Sequence, residues 1–129
     1  MSGRFLLDTN IIIDLLANED AIKAKLVEAE EVFVSSITIG ELFYGAEKSI
    51  RPVENSRRIE NFAAIIPVLV CDAATARCYG QIKNVLHAKG RLVPENDLWI
   101  AAVAHQHNII LVTRDKHFTE IKGLPTIRW

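Results

Sequence analysis

Four acidic side chains, Asp8, Glu41, Asp97 and Asp115, stand at the ends of apolar strand-like runs or in the opening turns of helix-like ones. Arg4-Phe5-Leu6-Leu7 runs straight into Asp8, and Ile109-Ile110-Leu111-Val112 runs into Thr113-Arg114-Asp115. In an open parallel sheet, ligands bind just beyond the strand ends where the strand order reverses, so acids there are functional candidates by position alone. Carboxylates gathered within a few ångströms cannot all ionise unless a cation compensates them. An all-oxygen set favours a hard divalent ion, magnesium or manganese, over zinc. Such an ion with few protein ligands suits phosphoryl chemistry, because it lowers the pKa of a bound water and stabilises charge on the leaving oxygen. Hydrolysis of a phosphodiester is the natural reaction.

The elements that must position these acids alternate between strand and helix without a dividing linker, so residues 1–129 form one domain. Asn10 caps a helix over Ile11 to Ala17, and Asn18-Glu19-Asp20 restarts one through about Glu30. Val32 to Val34 is a short buried strand, followed by a helix from about Thr38 to Lys48, a loop around Pro52 and an amphipathic segment from Glu54 to Ile65. Ile66 to Val70 reads as a strand in which Pro67 fits an early position or a sheet edge. Asp72 caps a long helix over Ala73 to Lys89, which Gly90 ends. Arg91 to Pro94 is a loop, and Asn96 caps Asp97 to His107. Leu124 to Trp129 ends the chain in a last short strand. Apolar strands alternating with helices imply a parallel sheet covered on both faces, a three-layer α/β/α domain with right-handed crossovers.

Each acid also has a purely structural reading. Asp8 can terminate its strand, and Asp115 can cap the turn Lys116-His117-Phe118. Thr38-Ile39-Gly40-Glu41 matches a capping box in which the glutamate reaches back to a free backbone donor. Asp97 lies in a first turn, where the helix dipole favours an acid. Yet Asp97 is in line with Ile100, Ala101 and Ala104, the stripe that faces the sheet, and a charge on a buried stripe needs a reason.

Composition narrows the field. Half the residues are apolar, enough for a real core. The net charge of −1 gives no electrostatic case for a general nucleic-acid binder. It leaves room for a nucleic-acid enzyme, which needs only local positive charge and whose bound cations the formula does not count. Cys71 and Cys78 lack metal-knuckle spacing and read as reduced core thiols. No charged leader precedes a long apolar stretch and no run approaches bilayer length, so a soluble, cytoplasmic protein is expected.

Four motifs, taken in order, carry a resemblance: Leu7-Asp8-Thr9-Asn10, Ile39-Gly40-Glu41-Leu42, Asn96-Asp97-Leu98-Trp99-Ile100-Ala101-Ala102-Val103-Ala104, and Leu111-Val112-Thr113-Arg114-Asp115-Lys116-His117-Phe118. Together they resemble the PIN-domain ribonucleases of the VapC type, the toxin half of a bacterial or archaeal toxin–antitoxin pair. The resemblance implies a parallel sheet ordered 3-2-1-4-5, Mg2+ or Mn2+ at the acidic cluster, cleavage of RNA, a homodimer, and a VapB-type antitoxin that joins it in a hetero-oligomer. By matching positions it assigns the acidic roles to Asp8, Glu41, Asp97 and Asp115, with Thr113 as the hydroxyl that orients a carboxylate or water. In that strand order Asp72 follows an edge strand, away from the switch point, and remains a helix cap. Asp14 is read as solvated or locally paired.

Arg91 and Arg114 flank acidic motifs and are candidates to meet substrate phosphate. Phe43, Tyr44 and Trp99 sit beside the acids; they are core residues, an apolar groove for the antitoxin, or a base-stacking surface. His105 and His107 point to different helix faces, and His87 and His117 have no partner at ligand spacing, so none of the four histidines is expected to act. A phosphoacceptor receiver would carry an adjacent acid pair after the first strand and a lysine after a later one, where this chain has Thr9 and Thr113-Arg114-Asp115. A haloacid-dehalogenase phosphatase needs a second aspartate where Asn10 stands. A non-catalytic module of the same fold would not need all four acids. Within the fold, the alternative is a nuclease of RNA processing or of DNA ends.

Overall fold

The computed structural model describes residues 3–129. Five parallel strands, β1 (Arg4–Leu7), β2 (Glu31–Ser35), β3 (Val68–Leu69), β4 (Ile110–Val112) and β5 (Thr126–Ile127), form one sheet in the order β3-β2-β1-β4-β5. The expected order is therefore observed. Both central strands are buried on their two faces, which explains why they read as continuous apolar runs rather than alternating ones. Leu6 and Leu111 face one core; Phe5, Leu7 and Val112 face the other.

The first core lies under α5 (Ala73–Ala88) and α6 (Glu95–His107). Ile100 to Ala104 of α6 are completely buried there, and the small alanines let the helix lie close to the sheet. The second core lies under α1 (Thr9–Leu16), α2 (Asp20–Glu28), α3 (Ser36–Glu47) and α4 (Pro52–Ile65), where Ile11, Ile12, Ile22, Leu42 and Ile59 meet β1 and β2. Layers of helix, sheet and helix result. Burying each large aliphatic or aromatic side chain contributes about 1.5–3 kcal/mol. Phe5, Leu6 and Leu7 are at most 1 % exposed, so β1 alone offsets a cost of several kcal/mol at the charged end it carries.

Several local expectations change. Asn10 is not a cap: α1 starts earlier, at Thr9, because Asp8 itself caps it by accepting the Thr9 N–H at 2.8 Å. α3 starts at Ser36, capped by Ser35, whose hydroxyl accepts the Thr38 N–H. That leaves Glu41 mid-helix with no capping box to serve. α6 starts at Glu95 after Pro94, so Asn96 lies inside the helix. Asp72 does cap α5, in a reciprocal box with Thr75. The two cysteines differ: Cys71 is not a core residue but exposed just past the edge strand β3, whereas Cys78 is half-buried and packs against the core under α5 and α6. No helix among the described residues is long and apolar enough to cross a membrane.

Candidate active site

β1 and β4 are register neighbours, Leu7 beside Val112, so their C-terminal ends open at the same level. The Asp8 N–H donates to the Val112 carbonyl at 2.9 Å and extends the ladder one residue beyond the strand. Here the chain leaves β1 for one face of the sheet, and α6, on the other face, leads into β4. This is the switch point of the 3-2-1-4-5 order, and it is the one place where acids from both strands and both helix layers can meet.

Asp8 is 4 % exposed. Its Oδ1 accepts from the Thr9 N–H, and its Oδ2 accepts from the Thr113 hydroxyl at 2.7 Å. The capping and site readings of Asp8 thus describe one carboxylate with two jobs. Burial raises its pKa above the ordinary range; the Thr113 and Thr9 hydrogen bonds oppose this, and the charges of Glu41 and Asp115 add to it. Glu41 projects from α3 to take the Thr9 hydroxyl proton at 2.6 Å, with the Asn96 amide at 3.4 Å from its other oxygen. Asp97 has only 15 % of its side chain exposed. Its pKa is pushed up to about 6 by burial first, then by the charges of Asp8, Asp115 and Glu41, with His117 pulling the other way. Asp97 thus feels the charges of the other three acids, and Asp8 those of Glu41 and Asp115.

Asp115 caps the 3-10 turn Lys116–Glu120, accepting the His117 N–H at 2.9 Å, while its own N–H donates to the Thr113 hydroxyl at 3.0 Å. Thr113 thus joins Asp8 to the Asp115 backbone. His117, which the sequence reading set aside, turns back into the cluster: its Nδ1 lies 3.0 Å from Asp115 Oδ1 and 3.8 Å from Asp97 Oδ2. One ligand atom each from Asp97, Asp115 and His117 fall within 4.8 Å of one another. The readable signal was the spacing Asp115-x-His117 at a turn. A capping aspartate draws the second residue after it back toward its own carboxylate.

The basic and aromatic candidates go elsewhere. Arg114 points away from the acids: its guanidinium pairs with Asp14 on α1 and with Glu19, 2.8 Å away, and its Nε donates to the Trp129 carbonyl. Asp14 is therefore paired across the fold, not locally. Arg91 pairs at 3.5 Å with Glu120 on the surface. Phe43 packs into the core under α1 to α4, while Trp99 stacks on Tyr79 with ring centroids 4.0 Å apart. Tyr44 is 67 % exposed and lines a cleft with Thr9, Ile13 and Glu41. The three aromatics do not form one groove. A largely apolar groove does exist, of about 320 Å³, lined by Ile13, Leu16, Leu42, Ala46 and Ile59, with Glu41 and Arg58 also on its wall.

Asp8 and Asp97 are held above the ordinary carboxylate range, by burial first and by the charges of neighbouring acids after it, and ligand atoms of Asp97, Asp115 and His117 lie close enough together to hold a metal ion. Comparison with known proteins gives the family. The family model described as "PIN domain" matches residues 5–124. The chain is 40 % identical to a protein of Shigella flexneri named tRNA(fMet)-specific endonuclease VapC, and 36 % identical to Ribonuclease VapC2 of Haemophilus influenzae, each alignment covering 98 % of both chains. A crystal structure of DNA-bound VapBC from Salmonella typhimurium contains a chain that superposes with a TM-score of 0.91 at 34 % identity, over 98 % of each chain. The chain belongs to the PIN-domain family, in its VapC branch.

Proposed function

We propose that the chain is a divalent-metal-dependent endoribonuclease, with Mg2+ or Mn2+ as the ion, and that it acts as the toxin of a toxin–antitoxin pair. The observation that carries the chemistry is the convergence of Asp8, Glu41, Asp97 and Asp115 on one end of the sheet, with Asp97 raised to about 6. Full-length relatives named ribonuclease and endonuclease support RNA as the substrate class. RNA as substrate also puts its action in the cytoplasm.

A bound divalent ion supplies a water of lowered pKa and stabilises charge on the phosphate oxygens. Asp8, Asp97 and Asp115 would hold it, with Glu41 at the rim. Thr113 fixes the Asp8 carboxylate and the Asp115 backbone together, and Thr9 fixes Glu41 against α1. The ligands are thus oriented before any ion arrives, which is the task of hydrogen bonds behind a metal site. In the reaction a water oxygen bonds to phosphorus and a phosphodiester P–O bond breaks.

The antitoxin reading rests on the groove that Glu41 helps to line. Ile13, more than half exposed on its rim, leaves apolar surface beside a concentrated negative field. An amphipathic helix would bury its apolar stripe there, and an arginine following it would pair bidentately with the acids. Metal or substrate would then be displaced with no covalent change. A homodimer, with the antitoxin completing a hetero-oligomer, belongs to the same proposal and is read by light scattering. Expression of the chain alone should arrest growth, and co-expression of a small partner from the neighbouring reading frame should relieve it. Harmless expression of the active enzyme would remove the toxin role and leave the nuclease.

A further inference from the structure

His117 stands inside the fourth motif, two residues after Asp115, with no acidic role of its own there, and its position is fixed. Phe118, the next residue, is completely buried in the core beneath α6, which pins the turn to the body of the domain. The His117 N–H is held by the Asp115 carboxylate at 2.9 Å. Backbone anchors on both sides therefore aim the imidazole, and its Nδ1 comes to 3.0 Å from Asp115 Oδ1 and 3.8 Å from Asp97 Oδ2. On a six-coordinate ion with bonds of about 2.1 Å, neighbouring donors at right angles stand about 3 Å apart. The Nδ1–Oδ1 spacing is that of two adjacent ligands.

We propose that His117 is a nitrogen ligand in the metal site and that it biases the site toward Mn2+ over Mg2+; this rests on the metal-dependent reading above. The bias follows from ligand chemistry. Imidazole binds transition metals well, whereas Mg2+ favours oxygen donors and keeps its waters. A site of carboxylates alone discriminates little between the two ions, and one nitrogen tilts it.

The competing account is that His117 only hydrogen-bonds Asp115 and steadies it. His117→Asn separates the two, because its amide retains a donor near the Nδ1 position and offers the metal an oxygen in place of a nitrogen. His117 is 54 % exposed at its side chain, so the change does not empty the core. The experiment is titration of the purified chain with Mn2+ and, separately, Mg2+, together with pulsed electron paramagnetic resonance of the Mn2+-loaded protein. Directly coordinated nitrogen should modulate the Mn2+ echo in the native chain and not in His117→Asn. The variant should bind Mn2+ at least about tenfold more weakly and Mg2+ within about twofold of the native chain. Saturable Mn2+ binding without nitrogen coupling, or equal losses for both ions, overturns the role of His117 and leaves the metal site standing. No saturable binding of either ion contradicts the metal site itself and the inference with it.

Discussion

Thr113 donates its hydroxyl proton to Asp8 Oδ2 at 2.7 Å across 105 residues of sequence. This bond ties the end of β4 to the end of β1, and because it favours the ionised carboxylate it holds the Asp8 pKa below where burial alone would put it. Thr113→Val keeps the shape and removes the donor. A hydrogen bond from Thr113 favours the charged form, so its loss should raise the Asp8 pKa further. The acid limb of the rate–pH profile should move to higher pH. An unmoved limb would show that Thr113 does not tune Asp8.

Asp97 makes the opposite kind of contribution. In the metal-free fold it keeps its proton up to about pH 6, whereas its ordinary value is 3.8. The folded state binds the proton more tightly than the unfolded chain, so this stability is full below about pH 3.8 and is lost as pH rises through about 6. The loss amounts to at most about 3 kcal/mol at neutral pH. Asp97→Asn should therefore raise the Tm of the chelated protein at pH 7.5 and flatten its dependence between pH 4 and 6, while abolishing cleavage. A variant destabilised at pH 7.5 would contradict the repulsion.

Ile13 tests the groove while leaving all four acids in place. Exposed by 54 % on α1, it can become Glu with little effect on the core. A charge on the apolar seat of the partner helix should weaken co-purification by about tenfold or more, since a charge desolvated at an interface without a partner costs more than about 1 kcal/mol. RNA cleavage should persist, and co-expression should no longer relieve growth arrest. Unchanged inhibition would place the partner elsewhere.

The layers and the acids were legible in the sequence because they rest on short-range patterns: buried apolar runs, helical stripes and residues at their junctions. Asp97 stood out as a charge on a stripe of Ile100, Ala101 and Ala104, all of which are completely buried. What escaped depends on contacts distant in sequence. Arg114 looked available for phosphate because Asp14 and Glu19, its partners, lie about a hundred residues away. Phe43, Tyr44 and Trp99 are near the acids in sequence but leave their helices in different directions, to a core, a cleft and the Tyr79 ring. The groove passed unread since Ile13, Leu42 and Ile59 come from three helices whose packing no local pattern specifies. His117 was set aside for another reason: the sequence offers it no partner at ligand spacing, whereas the turn capped by Asp115 folds it back within two residues.

The most direct test of the account is single-turnover cleavage of RNA by the purified chain after exhaustive chelation, repeated with Mg2+ or Mn2+ restored, beside Asp8→Asn in both conditions. The acidic cluster predicts no cleavage in chelator, recovery with either ion, and no cleavage by Asp8→Asn even with the ion present. Cleavage that continues unchanged in chelator, or an Asp8→Asn variant that cuts at the native rate, would contradict it.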